Sequence, residues 1–253
     1  MNHHIAIILC AGYGTRMYPL TKDTPKPLLQ VGKRPVLDYL MDRLNPIKEL
    51  EHIYIITNDE FFSQFIDWKN SQTNSGMKIY ILNDDSITNE DRLGAAGDLN
   101  FAFQNTREFS NALVAGGDNI FLFPFNDIWE TFLKNNDHMI VALQDKNIDN
   151  LRQTGVLEIS ESNQVTRLYE KPETPPSHFF SPPLYFLKAS AKEHLKKYMK
   201  NKDAMDASGH FVDYLCQRET VRAFKSKKGR LDIGNFESYQ KADQILSQKI
   251  TSL

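Results

Sequence analysis

Two glycines, an arginine and a lysine near the start of this 253-residue chain have the types and spacing of a phosphate site. The segment Leu9-Cys10-Ala11-Gly12-Tyr13-Gly14-Thr15-Arg16 is followed by Pro25-Lys26-Pro27-Leu28-Leu29. Glycines let backbone N–H groups approach an anion closely, and consecutive N–H groups form a concave nest for it. Arg16 adds a bidentate donor. Lys26, between two prolines in a stiff turn, adds a point charge at a set position. Phosphoryl and nucleotidyl transfer need such charge, because negative charge builds on the transferring group. A Gly-x-Gly turn alone is also an ordinary tight strand-to-helix connection. No Gly-Lys-Ser/Thr follows, so this is not a Walker loop. The third glycine of a dinucleotide fingerprint is missing, which argues against a nicotinamide-dependent oxidoreductase.

Further along the chain stand carboxylates and a second lysine. Asp118 follows Gly116-Gly117 at the end of an apolar run. A carboxylate there is placed to hold a divalent cation bridging phosphates, and equally to cap the next turn. Glu170-Lys171 lies at a strand end, where such a pair taken alone is a solvated surface pair. Asp232, in Leu231-Asp232-Ile233-Gly234, reads by itself as an N-cap of the last helix. Asp118 and Asp232 are far apart in sequence, so any meeting between them depends on the fold. The histidines His52, His138, His178, His194 and His210 show no ligand spacing.

The elements that must position these groups alternate. Residues 5–9 form an unalternating β-branched run, the mark of a strand buried on both faces. Residues 35–44 have helical spacing, ended by Pro46. Strands are expected at 52–57, 77–82 and 111–115, with helices at 60–69 and 95–105. The order β-α-β-α-β-α-β predicts an α/β fold with a parallel, doubly wound sheet and right-handed crossovers. Ligands bind such sheets at the carboxyl ends of the strands. A helix at 127–135 and a strand at 139–143 continue the pattern. Residues 155–159 and 164–169 read as a hairpin around Ser162-Asn163. Prolines 172, 175, 176, 182 and 183 mark an irregular, stiff stretch. Helices are expected at 192–201, 209–219 and 236–248, with a short strand at 221–225. Phe61, Phe62, Phe65 and Trp68, at helical spacing, read as core or as a partner face. No repeat or flexible linker interrupts the chain. One domain over 1–253 is expected, with a nucleotide-binding half over about 1–120. An acceptor-binding half with a C-terminal helix follows over about 121–253.

Net charge is −2 and the sequence pI is about 6.4, which argues against a nucleic-acid partner. No apolar run approaches the roughly 18 residues of a membrane span, and the run at 5–11 lacks the basic flank of a signal peptide. Cys10 and Cys216 lack disulfide or metal spacing. A cytoplasmic protein is expected.

Gly-x-Gly-Thr-Arg, then Pro19-Leu20-Thr21, then Pro-Lys-Pro-Leu-Leu resembles the signature of the sugar-phosphate nucleotidylyltransferases. These include glucose-1-phosphate thymidylyltransferases and the related uridylyl-, cytidylyl- and guanylyltransferases. The resemblance covers nearly the whole chain. It implies a Rossmann-like three-layer α/β sandwich with a mixed, mostly parallel central sheet, the GT-A-like nucleotidyltransferase fold. It implies an NTP and a phosphorylated small-molecule acceptor as partners, with a sugar 1-phosphate favoured and homo-oligomerisation left open. By that resemblance Leu9, Ala11, Gly12, Gly14, Thr15, Arg16, Lys26, Gly97 and Asp118 bind the nucleotide. Gly155, Glu170, Lys171 and Ser181 bind the acceptor. Asp118 and Asp232 hold Mg²⁺, and catalysis falls to Arg16, Lys26, Asp118 and Asp232.

Two segments depart from parts of that family. Arg92-Leu93-Gly94-Ala95-Ala96-Gly97-Asp98 resembles the Leu-Gly-Thr-Ala-Gly loop of uridylyl and guanylyl members, and lacks the Gln-Pro of thymidylyl ones. Phe180-Ser181-Pro182-Pro183-Leu184-Tyr185 stands where relatives carry Asn-Ala-Gly, and proline donates no N–H. Two alternatives therefore stand beside a sugar 1-phosphate transferase. One is the same reaction, with CTP or UTP, on a non-sugar phosphate monoester. The other is a non-catalytic sensor or assembly subunit.

Overall fold

The computed structural model describes residues 3–72, 76–200 and 207–251. In chain order the strands are β1 His4–Leu9, β2 Gln30–Val31, β3 Arg34–Pro35, β4 Leu50–Thr57, β5 Lys78–Asn83, β6 Asn111–Gly116 and β7 Asn119–Phe121. They continue with β8 His138–Gln144, β9 Gly155–Ile159, β10 Val165–Glu170, β11 Phe179–Ser181, β12 Leu184–Lys188, β13 Val221–Lys225 and β14 Arg230–Asp232. The helices are α1 Val36–Leu44, α2 Phe62–Ser71, α3 Gly94–Asn105, α4 Asn126–Asn135, α5 Ile148–Leu151, α6 Ser190–Tyr198, α7 Ser208–Cys216 and α8 Phe236–Thr251.

The central sheet runs β10-β9-β11-β8-β12-β6-β1-β4-β5, with β13 also paired to β8. Strands β6, β1, β4 and β5 are mutually parallel. Strand β12 runs antiparallel to both β6 and β8, and so returns β8 to the common direction. Strands β9 and β13 share that direction, while β10 and β11 oppose it. The expected mixed, mostly parallel sheet is thus present.

Strand β1 explains the three layers. Ala6 and Ile8 point to one core, with Leu37 of α1, Phe65 of α2 and Trp129 of α4. Ile5 and Ile7 point to the other, with Leu99 and Phe103 of α3, Leu195 of α6 and Phe211 of α7. Both faces are covered, which is why the run does not alternate in polarity. Phe61, Phe65 and Trp68 are buried core, one of the two readings of their spacing, while Phe62 is half-buried. A smaller core under α8 joins Met17, Val31, Ile120 and Leu246.

Several features differ from the sequence reading, among them the unexpected β2–β3 pair and α5, and the end of α7 at Cys216. The proline-rich stretch carries β11 and β12, with Pro182 and Pro183 at the junction between them, where no ladder N–H is needed. Strands β7 and β14 form a separate two-stranded antiparallel ribbon. Each is three residues long, too short to show a period. The helix expected at 192–201 is α6, ending at Tyr198, and Asn201 lies outside the described residues.

Candidate active site

A cleft of about 250 Å³ opens at the carboxyl ends of β1 and β6. This is where the chain order of a doubly wound sheet puts a ligand. Of the residues expected at the nucleotide, Leu9, Ala11, Gly12, Gly14, Lys26 and Asp118 line it. Thr15 and Arg16 stand exposed on a 3₁₀ turn, Thr15–Met17, outside that wall. Gly97 is buried inside α3, where a Cβ would come within 2.8 Å of Leu93 Cβ.

Gly14 shows why the turn needs glycine. Its φ is +65°, and an added Cβ would lie 3.2 Å from the Lys26 stem and from Thr21. The Thr21 hydroxyl donates to the Gly14 carbonyl at 2.8 Å, tying the turn to the segment that carries Lys26. Lys26 is buried, and its Nζ lies 3.8 Å from Asp118 Oδ2.

The ribbon brings the two distant aspartates together. Asn119 of β7 pairs with Asp232 of β14, and the Ile233 N–H donates to the Asp118 carbonyl at 3.0 Å. Burial, and then the charge of Asp232, raise the Asp118 carboxyl, while Lys26 and Arg230 oppose the shift. Asn119 donates to Asp118 Oδ1 at 2.7 Å. Arg230 reaches Asp232 Oδ1 at 2.7 Å and also hydrogen-bonds Asn119 Oδ1. No group of three His, Cys, Asp or Glu side chains that could hold a metal gathers among the described residues. Two carboxylates fit a hard cation of the Mg²⁺ kind, which takes its remaining oxygens from phosphates and water.

The expected acceptor residues meet on neighbouring strands of the sheet. Gly155 of β9 pairs with Glu170 of β10 on one side and with Ser181 of β11 on the other. Gly209 of α7 closes over Glu170, and a Cβ there would run into Glu170 Oε2. Lys171 is exposed, with φ +46°, and its N–H donates to the Thr154 carbonyl at 3.0 Å. The Ser181 hydroxyl is turned to its own backbone, donating to the Pro182 carbonyl at 3.0 Å. On that side the cleft wall is instead Pro183 and Ser208. Ser208 Oγ lies 3.1 Å from the buried Tyr185 hydroxyl.

Sequence reasoning missed Arg92, Gly94, Asp98, Pro183 and Ser208 as wall residues. The first three lie in the loop that resembles uridylyl and guanylyl members, and Pro183 in the segment that departs from relatives, so both places were signals. Ser208 had none, because α7 reaches the cleft through the fold alone.

A family model described as nucleotidyl transferase matches residues 5–249. The bifunctional protein GlmU of Methanococcus aeolicus is 32% identical over 180 residues, 71% of this chain and 39% of that protein. A UTP–glucose-1-phosphate uridylyltransferase, AglF of Haloferax volcanii, is 22% identical over 257 residues, 97% of this chain and 98% of its own. Among solved structures, a UDP-glucose pyrophosphorylase of Acinetobacter baumannii superposes with a TM-score of 0.80 at 17% identity. That match covers 100% of this chain and 98% of the other, and shows the shared fold. The chain spans 39% to 55% of the length of the GlmU proteins it matches first.

Proposed function

The chain belongs to the nucleotidyl transferase family, and from that premise we propose that it transfers a nucleoside monophosphate from an NTP to a sugar 1-phosphate, releasing pyrophosphate. The observation that carries this reading is Lys26 Nζ held 3.8 Å from Asp118 in the cleft at the carboxyl ends of β1 and β6, with Asp232 delivered beside it.

An acceptor phosphate oxygen attacks the α-phosphorus in line. The bond from that phosphorus to the pyrophosphate oxygen breaks, and pyrophosphate takes the electron pair. The attacking oxygen is already an anion, so no general base is required. Gly12 and Gly14 offer backbone N–H groups to the triphosphate, and Lys26 meets the charge that develops there. Arg16, exposed beside the turn, clamps the outer phosphates. Glu170, cradled by Gly155 and Gly209, orients acceptor hydroxyls, and Lys171 pairs with the acceptor phosphate. Asp118 and Asp232 would hold a divalent cation, which would neutralise phosphate charge when bound. The rest of the rate comes from positioning and preorganised charge. We place the reaction in a reducing compartment, since Cys10 and Cys216 are free and buried.

A second reading rests on the acceptor wall. Ser181 bonds its own backbone and Pro183 offers no N–H, so this wall presents few donors to a sugar ring. The same transfer onto a non-sugar phosphate monoester follows if that wall decides the substrate. One experiment separates the two. Pyrophosphate release with Mg²⁺ is measured for UTP, dTTP, CTP, GTP and ATP against sugar 1-phosphates and non-sugar monoesters. Turnover with a sugar 1-phosphate supports the first reading, and turnover confined to a non-sugar monoester supports the second. Silence from protein that still binds an NTP points to the non-catalytic alternative.

A further inference from the structure

Beside the cleft, the transfer chemistry leaves one buried acidic pair without a role. Asp98 lies in α3 and lines the cavity near Arg92 and Gly94. It is 6% exposed, and Asp84, just beyond β5, is 7% exposed. Asp84 Oδ1 accepts from the Ser86 N–H at 2.8 Å and the Ser86 hydroxyl at 2.7 Å. The Tyr13 hydroxyl in turn reaches Ser86 Oγ at 3.4 Å. The opposite oxygens, Asp84 Oδ2 and Asp98 Oδ1, are buried with no donor from any other residue. The two side chains face each other.

We propose that Asp98 accepts a hydrogen bond from the nucleoside of the bound triphosphate, from a base amine or a ribose hydroxyl, and so sets nucleotide selectivity. The proposal rests on the NTP-binding reading above. Two buried carboxylates in contact cannot both be charged without a large penalty. Burial first, then the charge of Asp84, push the Asp98 carboxyl up to about 8, with Arg92 opposing. At neutral pH Asp98 therefore keeps its proton and donates it to Asp84, which satisfies both otherwise unpartnered oxygens. Its second oxygen remains an uncharged acceptor on a residue of the cavity wall. An uncharged acceptor suits a pocket for a triphosphate, because a carboxylate there would repel it. The other charged or titratable groups around the pair are Asp85, beside Asp84, and Tyr13 and Cys10 from the β1 loop. The competing possibility is that the pair is a tie between the β5 loop and α3, with no ligand role.

The test is calorimetric binding of ATP, GTP, CTP, UTP and dTTP, and of the 2′-deoxy forms, to wild type, Asp98→Asn and Asp98→Leu, with melting temperatures alongside. Asparagine keeps a carbonyl acceptor and an N–H donor toward Asp84. It should bind within about twofold of wild type at pH 7 and hold that affinity at pH 9, where wild type weakens as Asp98 ionises. Asp98→Leu should weaken binding about tenfold at pH 7, the loss of one buried hydrogen bond. A loss confined to amine-bearing bases names the base amine. A loss absent from the 2′-deoxy forms names the 2′-hydroxyl, and an equal loss in all names the 3′-hydroxyl. Unchanged affinity in Asp98→Leu with a lowered melting temperature overturns the proposal. If Asp98→Leu does not fold, flat and identical affinities of wild type and Asp98→Asn from pH 7 to 9 overturn it. A wild type that binds none of these nucleotides overturns the NTP-binding reading itself.

Discussion

Lys26 is a buried ammonium whose near neighbour in the cleft is Asp118, at 3.8 Å. Charge held in that geometry is worth most where negative charge grows during the reaction. Lys26→Ala and Asp118→Ala should each lower pyrophosphate release about 100-fold or more while the melting temperature stays near wild type. Full turnover by either variant would remove that residue from the mechanism. Gly209 tests the acceptor side. Gly209→Ala puts a methyl group onto Glu170 Oε2 and must displace it. Its expected signature is a raised KM for the acceptor with NTP affinity unchanged. Both sites were legible to different degrees. Gly12, Gly14 and Lys26 share one continuous segment, whereas Glu170 was marked only by its resemblance to the family, and Gly209 reaches it only through the fold.

Strand β8 is anchored at its start by a neutral histidine. His138 is fully buried; its Nδ1 accepts from the Lys188 N–H of β12 at 3.2 Å, and its Nε2 donates to Glu219 at 3.1 Å. Burial, partly offset by Glu219, brings its pKa down to about 4. An unfolded histidine titrates near 6.5. Between these values the unfolded chain holds the proton and the folded one does not. Stability is therefore lost as pH falls from about 6.5 to about 4, by an amount on the order of 3 kcal/mol. Urea unfolding at pH 7 and 4.5 should show the drop, and His138→Leu should flatten it. An equally steep loss in His138→Leu would assign the acid sensitivity elsewhere. The ribbon β7–β14 is the other decisive element. It lifts Asp232 out of its local reading as a helix cap and sets it against Asp118.

The whole molecule backs the cleft with helices packed on both faces of the sheet. Phe65 is fully buried in the core that also contains Ile8, Leu113 and Phe121, behind the strands that carry the site. Phe65→Ala should destabilise the fold by about 3–5 kcal/mol. Turnover per folded molecule at 25 °C should change little, since Phe65 does not line the cleft. Chemical denaturation against specific activity of the folded fraction checks both halves. A large activity loss with stability kept would mean that Phe65 acts on the site and not on the core.

The order of elements and the phosphate-binding segment were determined by the sequence alone, because both are local. Apolar periodicity reports which residues share a face, and a motif of continuous residues survives any packing around it. Strands β1, β4, β5 and β6 and helices α1 to α4 follow from that periodicity, as does the hairpin of β9 and β10. Tertiary structure decided the rest. It inserted β12 antiparallel between β6 and β8, paired Asp232 with Asn119 across the ribbon, and turned Ser181 to its own backbone while Pro183 and Ser208 took the wall. It also faced the buried Asp84 and Asp98 together, where burial raises both carboxyls. Each of these depends on long-range burial and on charges brought together by packing, and no pattern within a short window of sequence carries that information.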